Sequence, residues 1–312
     1  MSAAQTIPHE DRGTYLGSHD TSAIFGLNPF MRPINVYMNK LGMSVNRNED
    51  DTPEQLQWGT NLQPAILKEF AKRQSCKLEN EEQFIRHPEL TWFGGTPDAT
   101  IVGDKSGVDA KNIRWNRGEW GEEGTDQVPE YVAMQCHHFM TLMGYERWYV
   151  AALFGGCELK IYKVTRDDEI ADMIIKADSE FWTEHIQKEN PPELDDSGSW
   201  RKYVERKFPK DNGDVRLATV DEILLLDQYR RQSALLKRRE ARVEELKTRL
   251  CASLGESAGI TCELGRVSYK TAKGRTTLDG KRLKEDMPDV YKQYEKTGAP
   301  YRILRITLKE EE

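Results

Sequence analysis

Apolar residues recur at helical spacing in two parts of the N-terminal half of the chain. Over residues 53–73 they lie three or four positions apart on a stripe that also contains Gln63, which predicts an amphipathic helix. A second stripe covers residues 129–143 and contains Gln135, and it is followed by a glycine, which commonly comes after the last turn of a helix. We therefore expect both glutamines to point inward.

Apolar and polar residues alternate in the segments between and after these helices. From Pro88 to Val108 the alternation is interrupted by the turn-forming sequence GDKSG, which predicts a β-hairpin. Residues 147–154 and 158–164 predict two more strands, and residues 168–188 predict a helix. Strands mixed with helices favour an α/β fold with a central mixed sheet flanked by helices.

The C-terminal part of the chain has a different pattern. Residues 189–214 are rich in Pro, Gly, Asp and Ser, as is typical of a linker. After them we expect a charged helix with a broken heptad pattern, then a strand, a helix and a strand, over residues 219–254, 260–271, 278–294 and 301–308. This predicts a main domain over residues 1–190, a linker over 191–215, and a C-terminal charged helix plus a small basic α+β module over 216–312.

Composition narrows the class of protein. The mean hydropathy of the 312 residues is −0.73, and no apolar run approaches the ~18 residues that cross a bilayer. The first residues have neither the cationic start nor the apolar core of a secretory signal, and the five cysteines form no C-x-x-C pair. We expect a soluble protein without membrane association, in a reducing cytoplasm.

Charge is unevenly distributed along the chain. Residues 1–200 contain 33 Asp and Glu against 19 Lys and Arg, whereas residues 201–312 contain 19 against 26. The basic C-terminal third is compatible with attraction to phosphate, and equally with a solvated charged helix.

The candidate chemistry lies in the predicted hairpin, in the pattern PD(x10)DAK. With a four-residue loop over residues 103–106, Asp98 lies opposite Lys111 and Thr100 lies opposite Asp109. Because side chains alternate between the faces of a strand, two carboxylates and an ammonium then share one face. A Pro-Asp turn followed by a solvated Asp-x-Lys ion pair would give the same letters.

Such a group of side chains suits metal-assisted hydrolysis. Two neighbouring carboxylates repel each other unless a cation or a proton lies between them, and hard cations such as Mg²⁺ prefer oxygen ligands. A lysine beside the metal can orient a water molecule and stabilise the charge that develops on a phosphate. Phosphodiester hydrolysis is therefore the reaction that the hairpin predicts.

Neighbouring segments carry a family resemblance. The hairpin, the preceding helix WGTNLQPAILKEF and the following EWGEEGTDQVPEYVAMQCHHFMTLMG resemble the restriction-endonuclease-like PD-(D/E)XK nuclease core. The chain is most similar to viral recombinases of the YqaJ group, in the lambda exonuclease family, from about residue 12 to residue 168. The resemblance implies the α/β PD-(D/E)XK fold and a metal-dependent deoxyribonuclease.

It also implies roles for individual residues. Asp98 and Asp109 match metal ligands, and the backbone carbonyl of Ala110 matches a further ligand. Lys111 matches the residue that supports the nucleophile, and Gln135 matches a helix glutamine that positions the water or the lysine.

Two further positions of the resemblance concern metal number and DNA ends. Gln63 stands where the family's Gly-x-x-x-Glu motif has an acid, so one ion would be held more weakly, and either one or two ions remain open. Gln63 has an equal reading as a hydrogen-bonded inward amide without a metal role. Arg12 and Ser18 match residues that hold the 5' phosphate of a DNA end, and Arg12 is alternatively an ordinary surface arginine.

The implied function is 5'-to-3' digestion of linear double-stranded DNA with Mg²⁺, for which Mn²⁺ can substitute. The product would be a 3' single strand for a phage-type annealing protein, and the enzyme would be a homo-oligomer, a trimeric ring by resemblance. Two alternatives stay open: a structure-specific or restriction-like endonuclease, and a catalytically impaired module that binds DNA or a partner. The resemblance also implies the cytoplasm of a bacterial or phage-infected host cell.

Overall fold

The chain forms two compact units in the computed structural model, divided between Lys207 and Phe208. The structure describes residues 9–43, 54–114, 118–195, 197–273 and 278–296. The strand predicted over residues 301–308 lies outside the described residues.

The first unit contains helices and strands in mixed order. Its strands are β1 (Leu78–Glu79), β2 (Ile85–Arg86), β3 (Gly94–Gly95), β4 (Ala99–Ile101), β5 (Ser106–Ile113), β6 (Arg147–Phe154) and β7 (Glu158–Thr165). Its helices are α1 (Ser18–Ile24), α2 (Pro33–Lys40), α3 (Glu54–Gln74), α4 (Glu130–Met143), α5 (Asp168–Phe181) and α6 (Gly198–Lys207). A 3₁₀ segment covers His9–Thr14, and α5 continues into a π-helical segment over Trp182–Gln187.

The central sheet has the strand order β1-β4-β5-β6-β7 within the described residues. Strands β5 and β6 are parallel because α4 crosses between them, and the other neighbouring pairs are antiparallel. This mixed sheet with flanking helices confirms the predicted fold class.

Helices cover both faces of the sheet. Helix α3 places Ile66, Leu67 and Phe70 against Val108 and other apolar residues of one face. Helix α4 packs on the other face, where its core partners include Trp148 and Tyr162. Since side chains alternate along β5, Val108 turns toward α3 while its neighbours Gly107 and Asp109 face α4.

The register of the hairpin differs from the predicted one by two residues. Thr100 lies opposite Gly107 instead of Asp109, and the connecting loop covers residues 102–105. Because the shift is by an even number of residues, each side chain stays on its expected face of the sheet. Continued one residue beyond the pair Ala99 and Val108, the observed register places Asp98 opposite Asp109. The shift fits the packing, because Gly107 is the position at which the ring of Trp148 leaves no room for a side chain.

Part of the segment predicted as a linker is a helix. Helix α6 begins at Gly198, and its residue Tyr203 is buried in the first unit, with its ring centroid 5.8 Å from that of Tyr37. A short amphipathic stretch between proline- and glycine-rich segments was therefore missed.

The second unit contains α7 (Val220–Leu254), β8 (Gly259–Cys262), β9 (Gly265–Ser268), α8 (Gly280–Asp286) and α9 (Pro288–Tyr294). The predicted long helix is present as α7, and most of its large apolar residues, such as Leu236 and Leu250, are exposed. The predicted strand over residues 260–271 is instead the hairpin β8–β9. The predicted helix over residues 278–294 is interrupted before Pro288, which has no amide hydrogen to continue α8.

Among the described residues, none of the helices combines the length and the apolar character that a membrane span requires.

A buried polar network joins α1, α4 and α5 beneath β3. The Nε2 atom of His138 lies 3.0 Å from the carbonyl oxygen of Gly94, so the ring must donate there. Because burial lowers the pKa of His138 to about 4, the ring is neutral at neutral pH, and its Nδ1 atom accepts from the Thr21 hydroxyl at 2.8 Å. Since the one Thr21 hydrogen is used, Asp178, whose Oδ2 atom lies 2.5 Å from Thr21 Oγ1, must supply the hydrogen of that contact.

With His138 neutral, proton counting gives a neutral carboxyl at Asp178. Burial raises the pKa of Asp178 to about 8, which agrees with this assignment. His138 is therefore a core hydrogen-bonding residue. The network ties α1 to the strand that precedes Asp98.

We predict that Asp178 makes stability depend on pH. Because the pKa is about 8 in the folded chain and about 3.9 when unfolded, its stabilising contribution is complete below pH ~4 and is lost as the pH rises toward 8. Asp178→Asn keeps a donor to Thr21 and should remove this component. Urea unfolding at pH 5, 6.5 and 8 measures it, with exposed Asp172→Asn on the same helix as control. Parallel pH profiles of Asp178→Asn and the native chain would contradict the assignment.

Candidate active site

The hairpin of β4 and β5 brings two carboxylates to one place in the first unit. Asp98 stands directly before β4, and its Oδ2 atom accepts a hydrogen bond from the backbone amide of Ala110 at 2.7 Å. Asp109 belongs to β5, with its side chain turned toward α4. The backbone of Ala110 thus already contacts Asp98 through its amide, while its carbonyl remains the predicted metal ligand.

Lys111 connects the hairpin to α4. Its Nζ atom donates to Asp109 Oδ2 at 3.2 Å and to Gln135 Oε1 at 3.0 Å. Gln135 is 1% exposed, as the inward stripe of α4 predicts. On its other side, Gln135 Nε2 lies 3.0 Å from His19 Nδ1 of α1. The structure therefore brings Asp98, Asp109, Lys111 and Gln135 together and adds His19.

The electrostatics of the group reflect its crowding. Desolvation and then the negative charge of Asp109 raise the pKa of Asp98 to about 7, and Glu82 contributes in the same direction. Burial disfavours the charged form of Lys111, but Asp109 and Asp98 outweigh it and raise the pKa of the ammonium. Lys111 is thus charged at neutral pH, and Asp98 binds a proton more readily than an ordinary aspartate does.

His19 is neutral in this surrounding. Although the residue retains solvent exposure, desolvation of its ring and then the positive charge of Lys111 lower the pKa of His19. At neutral pH its Nδ1 atom is therefore available as a hydrogen-bond acceptor.

Packing against β6 fixes Asp109 from below. The indole Nε1 atom of Trp148 donates to Asp109 Oδ1 at 3.3 Å, and the residue is fully buried. Its ring also stacks on Phe139 of α4, with centroids 5.0 Å apart. It occupies the space beside Gly107, where an added Cβ would lie 2.3 Å from a ring carbon. Glycine at this position is required by the indole that holds the carboxylate.

Gln63 has a different environment. Helix α3 lies on the sheet face opposite Asp109, and the Gln63 amide donates to Glu82 Oε1 at 3.3 Å. The backbone amide of Glu82 in turn donates to the carbonyl oxygen of Asp98 at 3.3 Å. Gln63 is therefore joined to the hairpin through Glu82. The hydrogen bond between Gln63 and Glu82 is solvent-exposed, and the role of Gln63 toward a metal stays a prediction.

The predicted phosphate-binding residues lie at the start of the first unit. Arg12 is exposed and Ser18 is buried in the first turn of α1. Between them, the ring of Tyr15 lies near three cations: Arg12, Lys40 at 5.2 Å and Arg86 at 6.0 Å from the ring centroid. Lys40 is paired with Asp20 at 2.6 Å, so Arg12 and Arg86 are the cations beside Tyr15 that remain for an anion.

The donor set fits a divalent cation through its carboxylates. Asp98 and Asp109 repel each other, as the raised pKa of Asp98 records, and a cation between them would remove that repulsion. No set of three or more His, Cys, Asp and Glu side chains converges as a metal-binding cluster in the part of the chain that the structure describes. A metal at this site would rely on these two carboxylates together with backbone and water oxygens.

Several contacts of the site escape sequence analysis. His19 and Gln135 are 116 positions apart, and Trp148 is 39 positions from Asp109, so no local spacing announces either pair. Glu82 follows a turn and adopts a positive φ of 53°, which its sequence neighbourhood does not signal. Tertiary contact alone places these residues.

Comparison with known proteins gives a family and a relative. Residues 9–146 match the sequence profile of the YqaJ-like viral recombinase domain. The chain is 28% identical to the uncharacterised protein YqaJ of Bacillus subtilis (strain 168) over 294 residues. This alignment covers 92% of this chain and 89% of that protein. The resemblance drawn from the motifs is thereby confirmed, and all the predicted site residues fall within the matched segment.

Solved structures with similar folds were also found. An alkaline exonuclease from Laribacter hongkongensis has 15% identity and a TM-score of 0.46, with 64% of this chain and 95% of that chain covered. A phage related exonuclease from Haemophilus somnus 129PT has 12% identity and a TM-score of 0.42, with 56% of this chain and 94% of that chain covered.

Packing at Gly107 generates a prediction. Gly107→Ala forces the Trp148 ring to move and should lower the free energy of unfolding by about 1–3 kcal/mol, as overpacking does in other cores. Gly59→Ala is the control, because a Cβ there has no atom within 4 Å and a helix gains up to about 1 kcal/mol from the change. Urea denaturation measures both variants. Equal stability of Gly107→Ala and the native chain would mean that the indole does not occupy this space.

Proposed function

We propose, from the match of residues 9–146 to the profile of the YqaJ-like viral recombinase domain, that the protein is a metal-dependent exonuclease for double-stranded DNA. The observation that carries the proposal is the convergence of Asp98, Asp109 and Lys111 on one hairpin, with Gln135 holding the lysine. The proposed substrate is linear duplex DNA, digested from 5' to 3' to leave a 3' single strand.

The proposed mechanism divides the work among these residues. Asp98, Asp109 and the Ala110 carbonyl would hold Mg²⁺, or Mn²⁺ in its place, and the bound cation would supply charge neutralisation at the phosphate and a more acidic water. The Lys111 ammonium orients the water and stabilises the charge that develops on the phosphate oxygens. Gln135 fixes the direction of the Lys111 ammonium by accepting one of its hydrogens.

Binding of the DNA end is assigned to the start of the unit. Arg12 can donate two charge-assisted hydrogen bonds to a 5' phosphate, and Ser18 can add a hydroxyl donor. The backbone between them is fixed beside β3, since the amide of Gly94 donates to the carbonyl oxygen of Leu16 at 3.1 Å. This end of the unit is therefore held next to the strand that leads to Asp98.

The proposed partners follow from the reaction. A 3' single strand is the substrate that a phage-type annealing protein requires, so such a protein is the expected partner. We also propose a ring-shaped homo-oligomer, a trimer, that keeps the enzyme on its DNA. Light scattering with and without duplex DNA tests the ring, and a monomer under both conditions would contradict it.

The first test measures nucleotide release from linear, 5'-phosphorylated duplex DNA in Mg²⁺. Lys111→Ala should lower the rate by roughly 10²–10³-fold, because it removes a preorganised positive charge from the transition state. Lys105→Ala, an exposed lysine in the loop of the same hairpin, is the matched control and should retain the native rate. Equal rates for Lys111→Ala and Lys105→Ala would show that Lys111 does not take part in catalysis.

The same assay separates the alternative functions. A covalently closed circle should stay intact, because the proposed enzyme needs an end, whereas cleavage of the circle would indicate an endonuclease. Absence of nucleotide release from linear DNA in both Mg²⁺ and Mn²⁺ would indicate a module that binds DNA or a partner without catalysis.

A further prediction concerns Gln63. Gln63→Glu would place a second carboxylate against Glu82, which now accepts the amide hydrogen, and should leave the rate of nucleotide release within a few-fold of the native value. Gln74→Glu, exposed at the end of the same helix, controls for the added charge. A gain of more than about 10-fold in Gln63→Glu alone would show that the native chain is catalytically impaired by its missing acid.

A further inference from the structure

We propose that His19 is a positioning residue: its imidazole accepts a hydrogen bond from the Gln135 amide and thereby keeps the Gln135 carbonyl directed at Lys111. The inference rests on the proposed nuclease function, in which Lys111 acts on the water and the phosphate. It assigns a role to a side chain of α1 that neither the motif nor the family match identifies.

The chemistry of the three groups fixes the direction of each hydrogen bond. An ammonium only donates, so the atom of Gln135 that lies 3.0 Å from Lys111 Nζ must be the carbonyl oxygen. The amide nitrogen of Gln135 then faces His19, 3.0 Å from Nδ1. Since the amide nitrogen only donates, Nδ1 must carry no proton, and the neutral ring carries its proton on Nε2.

The orientation of Gln135 matters because a side-chain amide has two faces of opposite character. Rotated by half a turn, the Gln135 amide would present its hydrogens to the Lys111 ammonium, and the two donors would repel each other. Lys111 Nζ donates to Asp109 Oδ2 at 3.2 Å and to Gln135 Oε1 at 3.0 Å. If the Gln135 acceptor is lost, the bond to Asp109 alone does not fix the orientation of the ammonium. His19 removes the rotated state by accepting the amide hydrogen.

Helix α1 holds His19 in place from both sides. Before His19, the backbone is fixed at Gly17, whose amide donates to the Asp20 carboxylate at 2.9 Å. The same carboxylate pairs with the mostly buried Lys40 at 2.6 Å. The next residue, Thr21, is fixed by His138 in the buried network. The imidazole is therefore presented to Gln135 by a rigid segment, as a positioning role requires.

Kinetics of nucleotide release test the role. His19→Ala should lower kcat by about 10-fold with little change in KM, since a misdirected Lys111 affects the transition state and not the binding of DNA. His19→Asn, which can place an oxygen acceptor near the position of Nδ1, should recover most of that loss. In the Gln135→Ala background, His19→Ala should have no further effect, because the amide through which it acts is gone.

A role of His19 in gripping DNA predicts the opposite pattern. The loss in His19→Ala would then appear mainly in KM, would depend on the 5' phosphate of the substrate, and would persist in the Gln135→Ala background. Any of these three results would overturn the positioning role.

Nitrogen-15 NMR of the His19 ring gives a readout independent of activity. We expect the tautomer protonated at Nε2 in the native chain, and a loss of this preference in Gln135→Ala. A ring protonated at Nδ1 would overturn the inference even if the chain is an active nuclease. If the native chain releases no nucleotides, the proposed function fails, and the NMR result then decides separately whether His19 orients Gln135.

Discussion

The parallel pairing of β5 with β6 is the constraint on which the candidate site depends. Two parallel neighbours require a crossover, and α4 supplies it on the face toward which Asp109 points. The crossover places Gln135 over Lys111, and the in-register pairing of Gly107 with Trp148 places the indole beneath Asp109. The parallel pairing thus determines where both Gln135 and Trp148 contact the hairpin.

The two faces of the sheet have separate tasks. Toward α3 the contacts are apolar, with Val108 and Ala151 among fully buried side chains, and they provide stability. Toward α4 the residues of β5 carry the charges, and polar networks through Gln135 and Thr21 position the helices there. Because each polar group in such a network has a defined partner, these contacts specify geometry more than they add free energy.

The fold and the core of the site could be predicted from the sequence, because they depend on local patterns. Alternation and helical spacing predict β6, β7, α3 and α4, and the pattern around Asp98 and Lys111 predicts the hairpin. The register could not be predicted, since it depends on how Trp148 packs against Gly107 from another strand. For the same reason His19 and Glu82 were not identified as members of the site, and the orientation of Gln63 toward Glu82 was not foreseen.

The tie between Asp178 and Thr21 spans 157 positions of the chain. During synthesis on the ribosome, α1 cannot gain this anchor until helix α5 has emerged, although Asp109, Lys111 and Gln135 are already available. The support that His19 gives to the site is therefore completed only after the last strand of the central sheet has been synthesised. A nascent chain therefore contains the residues of the charged hairpin before it contains the residue that anchors α1.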